Sequence, residues 1–181
     1  MRRGFRRAFR QGPVPNIPPL LKRANELLVA TDFAGAAAAF AELAVRAEQR
    51  NGPRAPFFYL QAGRTSILAE QKDAGFQQIK HGLSIIAQRG NFQHLNKVTH
   101  RIINELKQNG MNKEADELST WLKAALPIGF TPAVNPQAPK KATLPTHCSA
   151  CGAPVRPDEV DWLDDVTAEC AFCGSPVRGE N

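Results

Sequence analysis

The chain has 181 residues, of which 43% are hydrophobic and 22% charged, with a formal net charge of +6. That length supports one core of ordinary size plus a small satellite. No apolar run approaches the ~18 residues that a membrane helix needs. The basic start is followed by Gln11, Gly12, Pro13 and Pro15 rather than an apolar stretch, which argues against a secretory signal and for a cytoplasmic chain.

The charge is uneven. Residues 1–146 carry 21 Lys/Arg against 10 Asp/Glu, and residues 147–181 carry 2 against 7. Such asymmetry predicts two physical units with different partners. Residues 1–16 read as a disordered basic arm, with five Arg, Phe5 and Phe9. Folded as a helix, the arm would place both rings on one side and charge on the other. That pattern suits nucleic acid or an anionic surface, and equally a solubilising tail.

Residues 17–125 are helical by pattern. Pro18-Pro19 opens a first helix to about residue 30, and Asp32 is a natural N-cap for a second over 33–49. Asn51-Gly52-Pro53 stops it. A third follows over 56–70, and a fourth over 72–88 closes at Arg89-Gly90-Asn91. A fifth over 92–108 ends at Asn109-Gly110, and a sixth over 111–125 stops before Pro127. The short turns imply three antiparallel helical hairpins. Residues 126–146 hold five prolines and read as a semi-extended linker.

The hairpins are self-similar. Ala24, Ala62 and Ile103 align, and twelve residues later stand Ala36, Ala74 and Ala115. Stacked hairpins bury their faces against neighbours, so a repeat of this kind needs more than one unit. With Leu27, Asp32-Phe33 and Phe40 in the first unit, the chain resembles the tetratricopeptide repeat family over 17–125, at periods of 38 and then 41 residues. The resemblance implies a concave groove lined by the first helix of each pair, receiving a peptide segment of another protein. Its positions here would include Asn25, Tyr59, Gly63, His100 and Asn104, flanked by Lys97, Arg101 and Lys107. Asn25 matches the family's backbone-binding asparagine. Leu21 stands where the clamp for a C-terminal carboxylate would have a lysine, so that clamp is not implied.

The clearest chemistry comes last. Cys148, Cys151, Cys170 and Cys173 form C-x₂-C-x₁₈-C-x₂-C, inside the window for a zinc site. Two residues between cysteines allow a tight turn that aims both thiolates at one metal. The halves also repeat: Cys-Ser-Ala-Cys-Gly-Ala-Pro-Val-Arg at 148–156 mirrors Cys-Ala-Phe-Cys-Gly-Ser-Pro-Val-Arg at 170–178. Residues 147–178 resemble a zinc ribbon, with further short strands expected around Val160, Trp162 and Val166, and a small core of Trp162 and Phe172. Four protein ligands leave no open position, so the one Zn²⁺ expected is structural. An iron site of rubredoxin type uses the same donors. Disulfides suit an exported chain, and a redox pair suits a βαβ setting that is absent. His147 adjoins Cys148 and is expected outside the ligand set.

No catalytic constellation is visible. His81, His94, His100 and His147 are scattered, and Gly82 and Gly90 are isolated rather than part of a phosphate loop. The acidic residues between the cysteine pairs read as a solvated face. The sequence therefore points to a non-enzymatic protein–protein interaction module with a structural zinc ribbon. The alternative is a nucleic-acid-binding accessory protein using the arm and helical surface. The acidic ribbon itself is a poor match for phosphate.

Overall fold

A computed structural model of the chain describes residues 18–132, 142–150, 155–157, 160–162, 165–170 and 175–180. The basic arm, the middle of the Pro-rich segment, Phe172, Cys151 and Cys173 lie outside these residues. The described chain is mainly helical, with one small antiparallel sheet.

The helices are α1 (Pro19–Val29), α2 (Phe33–Glu48), α3 (Ala55–Leu68), α4 (Lys72–Gln88), α5 (Phe92–Gln108) and α6 (Asn112–Ala125). Local chemistry sets their ends. The Asp32 carboxylate accepts from the Gly35 N–H at 2.9 Å, and the Asn91 side-chain Oδ1 accepts from the His94 N–H at 3.3 Å. Every joint between consecutive helices turns on one left-handed residue: Thr31, Asn51, Glu70, Gly90 and Gly110. After Thr31, Asn51, Glu70 and Gly110 the next residue donates back across the turn, as Gly52 N–H does to the Ala47 carbonyl at 2.7 Å and Met111 N–H to that of Leu106 at 2.9 Å. These bonds satisfy carbonyls that a helix C-terminus would otherwise orphan.

Each helix packs on the next, most sparsely where α4 meets α5. The apolar side chains form two clusters. One joins α1, α2 and one face of α3 around Phe40, Leu43 and Phe58. The other joins a second face of α3 to α4, α5 and α6 around Leu83, Leu95 and Ile102. Ten of the fourteen residues in α3 are buried, so it behaves as a core helix rather than an amphipathic one.

Close approach of α3 to α4 depends on two glycines. A Cβ on Gly63 would stand 2.6 Å from the Gly75 carbonyl oxygen, and one on Gly75 would stand 2.6 Å from that of Gly63. This corrects the repeat alignment in the second hairpin. Ala24, Ala36, Ala62 and Ala115 are fully buried as expected. Ala74, however, is exposed, and its neighbour Gly75 makes the contact.

The C-terminal module carries β1 (Asp161–Trp162), β2 (Thr167–Glu169) and β3 (Pro176–Arg178), paired antiparallel in that order. Ala168 faces Trp162 on one side and Val177 on the other. Residues 155–157, after the first cysteine pair, form no strand. Thr143 pairs with Glu180 by bonds of 2.9 Å in both directions, so the end of the Pro-rich segment belongs to the module. Its interior is aliphatic, with Leu144, Val155, Val160, Ala168 and Val177 buried and Trp162 only half-buried. These residues are continuous with the α1–α3 cluster, so the module has no separate core.

Two substitutions test this architecture in opposite directions. Gly63→Ala forces α3 from α4 and should lower stability by about 1–3 kcal/mol. Thr31→Gly relieves a β-branched residue at φ 61 and should raise it by up to about 1 kcal/mol. Denaturant midpoints measured on both variants check the pair.

Candidate functional site

The module lies against α3 and α5 through side chains. Phe57, Leu60 and Arg64 of α3 and His94, Val98 and Arg101 of α5 meet Glu169 and Cys170 around a pocket of about 20 Å³. On each helix these residues recur at three- and four-residue spacing, which puts them on one face. The His94 ring stands edge-on to Phe57, with centroids 5.3 Å apart. Its Nδ1 lies 3.4 Å from a Glu169 carboxylate oxygen, and both side chains are about 15% exposed (14% and 16%). Its Nε2 is buried without a hydrogen-bond partner among the described residues.

Farther along the same two helices the groove is open. A pocket of about 220 Å³ is walled by Ile67, Leu68, Ile79, Ile102 and Leu106. Arg64 stands between the two pockets and belongs to both. Its guanidinium donates to both oxygens of Glu105, at 2.7 and 3.0 Å, a forked pairing that fixes the rim. Thus the C-terminal module closes one half of the groove, and aliphatic walls line the other.

Of the groove residues expected from sequence, only Arg101 lines these pockets. Lys97, His100 and Asn104 are exposed on α5, and Asn25 is half-buried on α1. Tyr59 and Gly63 turn away from the groove. Gly63 packs on α4, and the Tyr59 hydroxyl donates to Glu48 at 2.6 Å. His81 reaches the same carboxylate at 3.0 Å and stands edge-on to the Tyr59 ring, tying α2, α3 and α4 together. On α3, the residues that face α5 are Phe57, Leu60 and Arg64 rather than Tyr59 and Gly63. His94, Arg64, Phe57 and Glu169 were not singled out. Their signal was the paired spacing 57–60–64 and 94–98–101.

The Tyr59–Glu48 contact shifts both groups. Burial, then the Glu48 hydrogen bond, pushes the Tyr59 hydroxyl from 10.0 up to about 12. The hydrogen bonds from Tyr59 and then His81 hold Glu48 below its ordinary 4.5.

Of the four expected metal ligands, Cys148 and Cys170 are described. Both are buried thiols, 1% and 2% exposed, in one cluster although they come from opposite halves of the module. Thiolate sulfur is the donor type that zinc favours. Cys151 and Cys173 lie outside the described residues, and among those described no group of three metal-ligating side chains converges. His147 is exposed, with its Nδ1 3.0 Å from the Thr146 hydroxyl. Among the described residues, no helix is long and apolar enough to cross a membrane.

Comparison with family models, curated proteins and solved structures yields no match. Function must be argued from the site itself.

Tyr59 is the only tyrosine, so absorbance of its phenolate reads one group. Its titration should centre near pH 12 and fall toward 10 in Glu48→Gln. With its value raised first by burial and then by Glu48, the neutral Tyr59 hydroxyl contributes stability that is full below pH 10 and lost as the pH climbs to about 12. Glu48, being lowered, contributes above its ordinary 4.5 and loses that contribution on acidification.

Proposed function

We propose that the chain is a non-enzymatic protein–protein interaction module: a tetratricopeptide-like helical platform carrying a structural zinc ribbon. The open pocket between α3, α4 and α5 carries this reading. Its volume of about 220 Å³ suits one large aliphatic or aromatic side chain, and its walls are aliphatic. Partner peptides anchor in helical grooves by burying such a side chain, while backbone and charged groups set register. Asn109 and the Arg64–Glu105 pair also line this pocket and supply polar contacts beside those walls.

In this reading Cys148, Cys151, Cys170 and Cys173 hold the zinc. When bound, the ion cross-links two segments that have little core of their own. It serves shape rather than chemistry, and the module finishes one end of the groove.

Leu68 and Val45 provide the test. They are similarly exposed, at 48% and 45%, but only Leu68 borders the pocket. Leu68→Glu should fold normally and lose partner proteins captured by the full chain, whereas Val45→Glu should keep them. Equal capture by both variants would sink the groove reading. The second reading, nucleic-acid binding, rests on the +11 balance of residues 1–146. It requires affinity that falls steeply with salt and disappears with the arm.

Metal removal gives a further check. Chelation should speed hydrogen exchange across residues 142–180 and leave α5 and α6 protected. Unchanged exchange in the module would contradict a structural zinc.

A further inference from the structure

Among the described residues, Val29, Val45, Leu68 and Ile128 are large apolar side chains left exposed. Leu68 is the lip of the open pocket between α3, α4 and α5. Ile128 is 107% exposed, yet the chain holds it in place. Residues 127–130 make a tight turn, with the Phe130 N–H donating to the Pro127 carbonyl at 3.0 Å. Gly129, at φ 81, takes the position of a type II turn that needs a positive angle. On one side of the turn Leu126 packs on the second apolar cluster. On the other, the Gln93 side chain of α5 donates to the Thr131 carbonyl at 3.0 Å. Ile128 is therefore an apolar knob on a braced stem.

Knob and pocket match in kind. The pocket walls are aliphatic, and its volume of about 220 Å³ accepts a branched aliphatic side chain. Residues 124–132 carry no charge. The charged groups on the pocket wall, Arg64 and Glu105, are already paired with each other. Seating this neutral knob strands no ion, whereas an acidic or basic peptide would bring a charge without a counterpart. The chain does not seat its own knob. The turn is braced at Gln93, at the start of α5, and the pocket residues of α5 run from Ile102 to Asn109. That places them roughly 14–24 Å further along the helix. One seated isoleucine and its rim bury far less than the ~1,600 Å² of a standard interface, so the contact is weak and reversible.

Resting on the groove reading, we infer that the open pocket takes Ile128 from a second copy of this chain. The contact joins unlike surfaces, the knob of one copy and the pocket of the next. The turn fixes the knob before contact, so little ordering is needed on association. Self-association occupies the pocket that a partner peptide needs, and the two exclude each other. A partner therefore separates the copies as it binds.

Sedimentation velocity of the full chain at rising concentration is the test. The wild type should gain mass above a single chain and lose it on dilution. Ile128→Asp and Leu68→Glu should each weaken this association by about 30-fold or more, the scale of losing a buried anchor. Val45→Glu, exposed like Leu68 but away from the pocket, should associate as the wild type does. An equimolar mixture of Ile128→Asp and Leu68→Glu joins the intact pocket of one to the intact knob of the other. It should associate again and stop at two chains. A wild type that stays a single chain at every concentration overturns the inference. So does association that survives Ile128→Asp, and so does a mixture that stays apart. Capture of partner proteins judges the groove reading separately. If Leu68→Glu loses partners that Ile128→Asp keeps while the wild type stays a single chain, the inference falls and the groove reading stands.

Discussion

α3 is surrounded on nearly every side, and that position depends on a backbone contact with α4. Gly63 and Gly75 each lack the one carbon that would collide with the other's carbonyl. Because the two helices meet at backbone distance, α3 has room to present other faces to α2, to α5 and to the C-terminal module. Both apolar clusters draw on it, Phe58 and Ala62 on one side and Leu60 and Ile67 on another. Thr65 lies buried within it and closes its own polar account locally, bonding the Gln61 and Ala62 carbonyls at 2.8 and 3.0 Å.

The groove follows from the same placement. Phe57, Leu60 and Arg64 leave α3 toward His94, Val98 and Arg101 of α5, and the module seats Glu169 and Cys170 between them. One end of the groove is thereby filled by the chain itself. At the other end the sparse contact of α4 with α5 leaves the aliphatic pocket open, with the Arg64–Glu105 pair holding its rim. A forked, partly shielded pair of this kind fixes geometry more than it adds stability. The filled and the open halves therefore share one residue, Arg64, and a change at either end has a physical route to the other.

The C-terminal module is better described as a layer on the helices than as an independent domain. Its aliphatic residues merge with the α1–α3 cluster, and Thr143 ties its start to Glu180 at its end. A module of this size buries too little apolar surface to be stable alone. Here a helical platform supplies surface, and in the reading proposed above a metal supplies the cross-link.

The sequence by itself determined the helices, their order and nearly all of their ends. Those features are local: Asp32 and Asn91 cap their own helices, and Gly90 and Gly110 turn the chain within a few residues. The cysteine spacing is likewise a local property of the sequence, since two residues between thiols need only a tight turn to aim both at one point. Three things were decided by tertiary structure alone. One is the register of the second hairpin, where Gly75 rather than Ala74 meets α3; both are small, and only the rotation of one helix on the other chooses between them. Another is the outward turn of Tyr59, drawn to Glu48 and His81 from two different helices. The last is the meeting of His94 with Glu169 and Cys170, some 75 residues apart along the chain. No pattern within a helix or a motif encodes that approach, because it is set by where the whole module docks.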